Sequence, residues 1–269
     1  MKNFIALFLI TLQLQVFGQT TAYKTLNNIK YYPEAIYKND SYAQERCVVD
    51  IYYPGDVKQF ATILWLHGGG IEQGKKEIPD ALKNKGFCII GVGYRLSPKV
   101  QVMQAIDDSA AAIAWVFNHI EEYGGDRKKI FISGHSAGGY LGMMAVLDKK
   151  YLAKYDVDAN NIAGLIPFSG QCITHFTVRK EKGIKETQPI IDEFAPLYHT
   201  RSDAPPLLLI TGDRELEMLG RYEENAYMAR MMKLVGHKET RLLELGGYGH
   251  NMAYPAFPLL INEVKRLMK

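Results

Sequence analysis

From Ile130 to Met144 the chain reads Ile-Phe-Ile-Ser-Gly-His-Ser-Ala-Gly-Gly-Tyr-Leu-Gly-Met-Met. The apolar Ile130, Phe131 and Ile132 suit a strand, Gly134-His135-Ser136-Ala137-Gly138 suits a sharp turn, and the small and apolar residues that follow suit a buried helix. A strand that feeds straight into a helix holds its central residue in strained backbone geometry, so the neighbours must lack side chains that would clash. The expected result is an exposed Ser136 hydroxyl at the start of a helix, where free backbone N–H groups and the helix dipole favour negative charge. A Gly-x-Ser-x-Gly pattern alone describes any glycine-rich turn. Between an apolar strand and a small-residue helix it singles out Ser136 as a nucleophile.

The chain has 269 residues, 47% hydrophobic and 23% charged, which fits one α/β domain. A net charge of +3 without a basic cluster leaves no footprint for nucleic acid. Met1-Lys2-Asn3, an apolar run from Phe4 to Phe17 and then Gly18-Gln19-Thr20 read as a secretory signal over residues 1–18. Export to a periplasm or to the medium is therefore expected. The run is too short and too early for a membrane span, so no stable membrane partner is expected. Cys47, Cys88 and Cys172 have neither metal nor redox spacing. An oxidising compartment would permit a Cys47–Cys172 bridge, which sequence separation leaves open.

Taken in order, Ile29 to Tyr37 and Cys47 to Tyr53 read as early strands, and Thr62 to Leu66 as a strand buried on both faces. His67-Gly68-Gly69-Gly70 follows at the carboxyl end of that strand, where open α/β sheets bind ligands, and reads as an oxyanion loop. Ile78 to Lys85 suggests a short helix, Cys88 to Tyr94 a strand, and Val102 to Tyr123 a long amphipathic helix closed by Gly124-Gly125. Asp107 and Asp108, near its start, read as structural. Gly164 to Gly170 reads as another strand end. Gln171 to Pro196 has no clean period and reads as an insertion or lid over the sheet, with His175, Phe176 and Arg179 as candidate substrate contacts. Leu207 to Gly212, Leu219 to Val235, Thr240 to Leu245 and Phe257 to Met268 complete the alternation of strand and helix. That alternation predicts a mostly parallel sheet covered on both faces.

Ser136 needs a base, and the base needs a carboxylate to fix its tautomer. His250 stands in the glycine-rich loop after the last strand and is the best base. His119 and His237 read as surface residues, while His67 and His135 read as shaping backbone. The acid should follow the strand at Leu207 to Thr211. Asp213 comes directly after Gly212, Glu215 two further on, and Glu217 farther still. Any of them gives the order Ser, acid, His of an α/β-hydrolase sheet.

Together, His67-Gly68-Gly69-Gly70, Tyr94-Arg95-Leu96-Ser97-Pro98, Gly124-Gly125-Asp126, Gly134-His135-Ser136-Ala137-Gly138, Gly212-Asp213-Arg214-Glu215 and Gly249-His250 resemble an α/β-hydrolase of the HGGG-bearing carboxylesterase group. That group includes acetyl esterases and feruloyl-esterase-like members. The resemblance implies an α/β-hydrolase fold and a serine esterase that needs no cofactor and no metal. It implies oxyanion donors at Gly69, Gly70 and Ala137. It places the acid three residues after the strand-ending glycine, which ranks Glu215 first, although aspartate is usual there, and Asp213 second.

The expected substrate is a small-molecule or carbohydrate-linked ester, with a modest lid restricting it to short acyl chains. Monomer and homodimer both remain open. Two other readings compete: an amide hydrolase resembling the arylformamidases, and a non-catalytic binding protein that keeps the hydrolase fold.

Overall fold

The continuous apolar runs become the middle of one eight-stranded sheet in the computed structural model, which describes residues 21–269. Its strands are β1 (Tyr23–Lys30), β2 (Val48–Pro54), β3 (Phe60–Leu66), β4 (Cys88–Val92), β5 (Gly125–His135), β6 (Gly164–Phe168), β7 (Leu207–Gly212) and β8 (Thr240–Leu245). Their spatial order is β1-β2-β4-β3-β5-β6-β7-β8. The first two pairings are antiparallel and the rest parallel, so the strands from β4 to β8 all end on the same edge. The signal expected at residues 1–18 lies outside the described residues.

The helices are α1 (Glu34–Asn39), α2 (Ser41–Arg46), α3 (Val102–Tyr123), α4 (Ala137–Leu147), α5 (Lys149–Ala153), α6 (Phe176–Glu181), α7 (Arg221–Leu234) and α8 (Ala253–Leu267). Helices α3, α4 and α7 cover one face through side chains such as Ile113, Leu141 and Met228. Helix α8 covers the other, where Trp65 and Phe168 pack with Phe257. Every residue of α4 is buried. It fits because its first turn has almost no side chains: a Cβ on Gly138 would lie 2.0 Å from the Leu66 carbonyl oxygen, and one on Gly134 would lie 2.6 Å from it. The end of β3 and the start of α4 are in backbone contact, and that contact brings the glycine loop beside Ser136.

Local context overrode several sequence expectations. Residues 34–46 form two helices, not the continuation of a strand through Tyr37. Asp40 Oδ1 accepts the N–H groups of Tyr42 and Ala43 and so starts α2. The Tyr37 hydroxyl is buried, accepting from the Tyr31 and Tyr32 N–H groups and donating to the Cys47 carbonyl. The helix expected over Ile78 to Lys85 is a single 3-10 turn, Asp80–Leu82, anchored by buried Leu82. His237, expected at the surface, is buried and bonded to Thr240 Oγ1 and the Ala204 carbonyl. Cys47 and Cys172 are both buried with free thiols.

One buried ion pair supports the glycine loop from behind. Arg95 donates to both carboxylate oxygens of fully buried Asp108, at 2.6 and 2.9 Å, and to Asp40 at 2.7 Å. This fixes the turn after β4, whose Tyr94 stacks on His67 with ring centroids 4.2 Å apart. Removing one partner of such a pair strands a buried charge and typically costs about 3–5 kcal/mol. Asp108→Ala is expected to lose stability on that scale in urea unfolding. A loss of about 1 kcal/mol or less, as for an exposed pair, would contradict this account.

Candidate active site

Ser136 lies between β5 and α4 with φ 55° and ψ −116°, a conformation that costs about 1–3 kcal/mol for a residue with a side chain. Two backbone bonds hold it there: its N–H donates to the Phe168 carbonyl at 2.8 Å, and its carbonyl accepts the Tyr140 N–H at 3.0 Å. The residue is only 8% exposed. The hydroxyl expected to stand free is instead at the wall of an open cleft of about 620 Å³, lined also by Gly68, Gly69, Gly70, Phe176 and His250.

His250 Nε2 is 2.8 Å from Ser136 Oγ, and His250 Nδ1 is 2.9 Å from Glu217 Oε2. A carboxylate only accepts, so Nδ1 carries the proton and Nε2 is left to accept from the serine hydroxyl. Glu217 is thus the acid beside His250, not Glu215 or Asp213. Its side chain is 1% exposed, and Oε1 accepts from the Gly212 N–H and the Ser169 hydroxyl. The reason lies in the turn. The Asp213 carbonyl accepts the N–H groups of Leu216 and Glu217, folding the chain back over the end of β7. Asp213 itself spends its carboxylate on backbone, accepting from Glu215 N–H and Gly247 N–H. Glu215 faces solvent on the outer side of that turn. Asp213 still matters to the geometry, because its bond to Gly247 fastens the loop that carries His250.

Gly69 and Gly70 have φ of 113° and 65°. A Cβ on Gly69 would meet the Gln73 carbonyl at 2.2 Å, and one on Gly70 would meet the Phe176 ring. Among the described residues, the N–H groups of Gly69, Gly70 and Ala137 donate to no protein acceptor. His67 lies apart from the Ser136–His250–Glu217 line. Burial pushes its imidazole down to about 4, and its Nδ1 bonds the Gly68 carbonyl while Tyr94 donates to the His67 carbonyl. His135 is lowered to about 4 by burial as well, and its Nε2 donates to the His250 carbonyl at 2.8 Å. Both histidines shape backbone, and both are neutral at neutral pH.

The segment 171–196 is more ordered than an irregular lid, since it carries α6. Phe176 lines the cleft. Its neighbours do not: His175 is buried and caps α6 by accepting the Thr177 N–H, and Arg179 is buried with Nη1 on the Gln188 carbonyl. Thr177 Oγ1 donates to the Gly70 carbonyl at 2.6 Å, which ties this segment to the glycine loop. Sequence reasoning also passed over Ser169, which donates to Glu217, and Arg221, which donates to the Ser169 carbonyl behind the cleft. Among the described residues no three His, Cys, Asp or Glu side chains gather to hold a metal ion.

Sheet order, elbow and Ser–His–Glu contact define the α/β-hydrolase fold class. The chain belongs to the BD-FAE family, whose model matches residues 49–218. Esterase LipC of Mycobacterium tuberculosis is 26% identical over 204 residues, 69% of this chain and 50% of that protein. An acetyl esterase of Salmonella paratyphi B is 30% identical over 125 residues, 45% of this chain and 38% of that protein. The chain spans about half the length, or less, of these curated relatives. Among solved structures, a truncated carbohydrate esterase from gut microbiota superposes with a TM-score of 0.70 at 17% identity, covering 93% of this chain and 98% of that one. Esterase B from Lactobacillus rhamnosis gives 0.73 at 17% identity, covering 91% and 87%. At such identities the likeness is one of fold.

Burial on its own would raise the Glu217 carboxyl, but bonds from His250, Ser169 and Gly212 outweigh it and hold the group at about 2, against an ordinary 4.5. A depressed carboxyl adds stability that is fully present above its unfolded value and is lost as pH falls through its folded value. Glu217→Gln is therefore expected to be less stable than wild type at neutral pH, by up to about 3 kcal/mol, with the gap closing between pH 4.5 and about 2. Urea unfolding across that range checks this, and a gap independent of pH would contradict it.

Proposed function

We propose that this chain hydrolyses carboxylic esters through an acyl-enzyme on Ser136. The observation that carries the reading is one hydrogen-bonded line, with Ser136 Oγ 2.8 Å from His250 Nε2 and His250 Nδ1 2.9 Å from Glu217 Oε2. An alkyl hydroxyl is a poor nucleophile at neutral pH, so its proton must leave as it attacks. Ser136 Oγ adds to the ester carbonyl while His250 Nε2 takes the proton, and Glu217 stabilises the imidazolium. The tetrahedral oxyanion takes the free N–H groups of Gly69, Gly70 and Ala137, each such donor being worth about 2.7–4 kcal/mol of barrier. Collapse breaks the bond to the alcohol, which leaves with the proton from His250. Water then attacks the acyl carbon, gives a proton to His250, and the acid departs as Ser136 recovers its hydrogen.

The proposed substrates are short-chain esters of small alcohols or of sugars, met outside the cell by an enzyme exported through its leader. Similarity to proteins named as acetyl and carbohydrate esterases supports this choice. So does the crowding of the cleft by Phe176, whose ring lies against Gly70, and by Met218.

Hydrolysis of p-nitrophenyl acetate tests the mechanism. Ser136→Ala should abolish turnover and Glu217→Gln should lower kcat by roughly 10²–10⁴-fold, while Glu215→Gln stays near wild type. Retained activity in Ser136→Ala would overturn the reading. For acyl length, Phe176→Ala is expected to raise kcat/KM for hexanoate relative to acetate esters, and an unchanged ratio would remove Phe176 from the specificity argument.

A further inference from the structure

Strand β6 ends at Phe168, and Phe168 and the next residue, Ser169, touch both ends of the hydrogen-bonded line. The Phe168 carbonyl accepts the Ser136 N–H at 2.8 Å. Ser169, fully buried, donates its hydroxyl to Glu217 Oε1. Its backbone has φ 45°, in the left-handed region that a residue with a side chain avoids unless its surroundings impose it.

The Ser169 N–H is held by the Ile210 carbonyl of β7 at 2.7 Å, and its carbonyl side by the first turns of α7. Arg221, fully buried, donates from Nη1 to the Ser169 carbonyl. Asn225 Nδ2 donates to the Gly170 carbonyl at 2.9 Å and to the Arg221 carbonyl at 2.8 Å. Glu224 Oε2 accepts the N–H groups of Cys172 and Ile173 at 2.9 and 3.3 Å. Neighbouring side chains on one helix thus grip the chain from residue 169 to residue 173.

For stability alone Arg221 is a poor choice. Burying a guanidinium is costly, and Nε and Nη2 have no hydrogen-bond partner among the described residues. An apolar side chain of similar volume would fill the space at lower cost. It would leave the Ser169 carbonyl without its charge-assisted donor.

We propose that Arg221 and Ser169 are positioning residues for the Ser136–His250–Glu217 line. Arg221 holds Ser169 in its left-handed conformation, and the Ser169 hydroxyl holds Glu217 Oε1 so that Oε2 meets His250 Nδ1. Oε1 takes two donors, the Gly212 N–H at 2.9 Å and the Ser169 hydroxyl, while Oε2 has only the Met218 N–H at 3.3 Å besides His250, so the Ser169 hydroxyl is the one side-chain bond that anchors the far oxygen of the carboxylate. The inference rests on the esterase reading and adds to it the part of the molecule that aims the acid.

The test measures kcat, KM and the thermal midpoint with p-nitrophenyl acetate for Ser169→Ala, Arg221→Met and Arg221→Lys, each in the wild-type and Glu217→Gln backgrounds. Fluorophosphonate labelling of Ser136 is followed in parallel. A hydrogen bond to a charged group predicts that Ser169→Ala lowers kcat about 10–100-fold with KM unchanged. In the Glu217→Gln background the same change should cost nothing further, because the carboxylate it aims is gone. Arg221→Met should behave likewise, with Arg221→Lys recovering part of the loss. Equal losses in both backgrounds, or wild-type kcat in Ser169→Ala, overturn the proposal; Ser169→Ala removes one oxygen and decides the matter even where Arg221→Met fails to fold. Wild-type protein that is neither active nor labelled overturns the esterase reading, and this inference with it. An active, labelled wild type beside an indifferent Ser169→Ala overturns this inference alone.

Discussion

The backbone contact between the end of β3 and the first turn of α4 is the constraint from which the rest follows. With Gly138 against the Leu66 carbonyl, helix and strand approach more closely than side chains allow, and Ser136 is forced into a strained turn between them. The same contact sets His67 to Gly70, which continue β3, next to the helix N-terminus. Ser136 and the free backbone N–H groups therefore meet as a consequence of main-chain packing. Any Cβ at Gly138 would push the two apart. The strain at Ser136 persists because the Phe168 carbonyl and the start of α4 hold it from both sides.

Around that fixed point the chain deploys its buried charges asymmetrically. His67 and His135 are buried beside main-chain carbonyls and kept neutral. The Glu217 carboxylate is also covered but receives enough hydrogen bonds to stay ionised. Environment rather than residue type separates the histidine in line with Ser136 and Glu217 from those that pin loops.

The sequence revealed the parts of the site whose geometry is local. The elbow at Gly134 to Gly138 is dictated by steric need within five residues, and the glycine loop at 68–70 directly continues an unmistakable buried strand. His250 followed from a loop with no packing role for an imidazole. The acid did not follow, because counting from Gly212 assumes an extended chain. The turn closed by the Asp213 carbonyl brings Glu217 inward and leaves Glu215 outside, and Asp213 is held by a loop more than thirty residues away in sequence. The extra reach of glutamate over aspartate fits that longer turn, which is a signal the sequence contained. Tyr37 and His237 misled for the opposite reason: their side chains take buried polar roles against backbone that only the tertiary fold supplies. The clamp of Arg221, Glu224 and Asn225 was invisible for the same cause, since a charged turn at a helix start ordinarily reads as a solvated face.

The central claim is that the His250 imidazole is oriented by Glu217. A proton NMR spectrum of the resting protein tests it most directly, through the low-field resonance of an imidazole Nδ1–H bonded to a carboxylate. The account predicts that this resonance is present in wild type, Asp213→Asn and Glu215→Gln, and absent in both His250→Ala and Glu217→Gln. A resonance that survives Glu217→Gln, or disappears in Glu215→Gln, would contradict it.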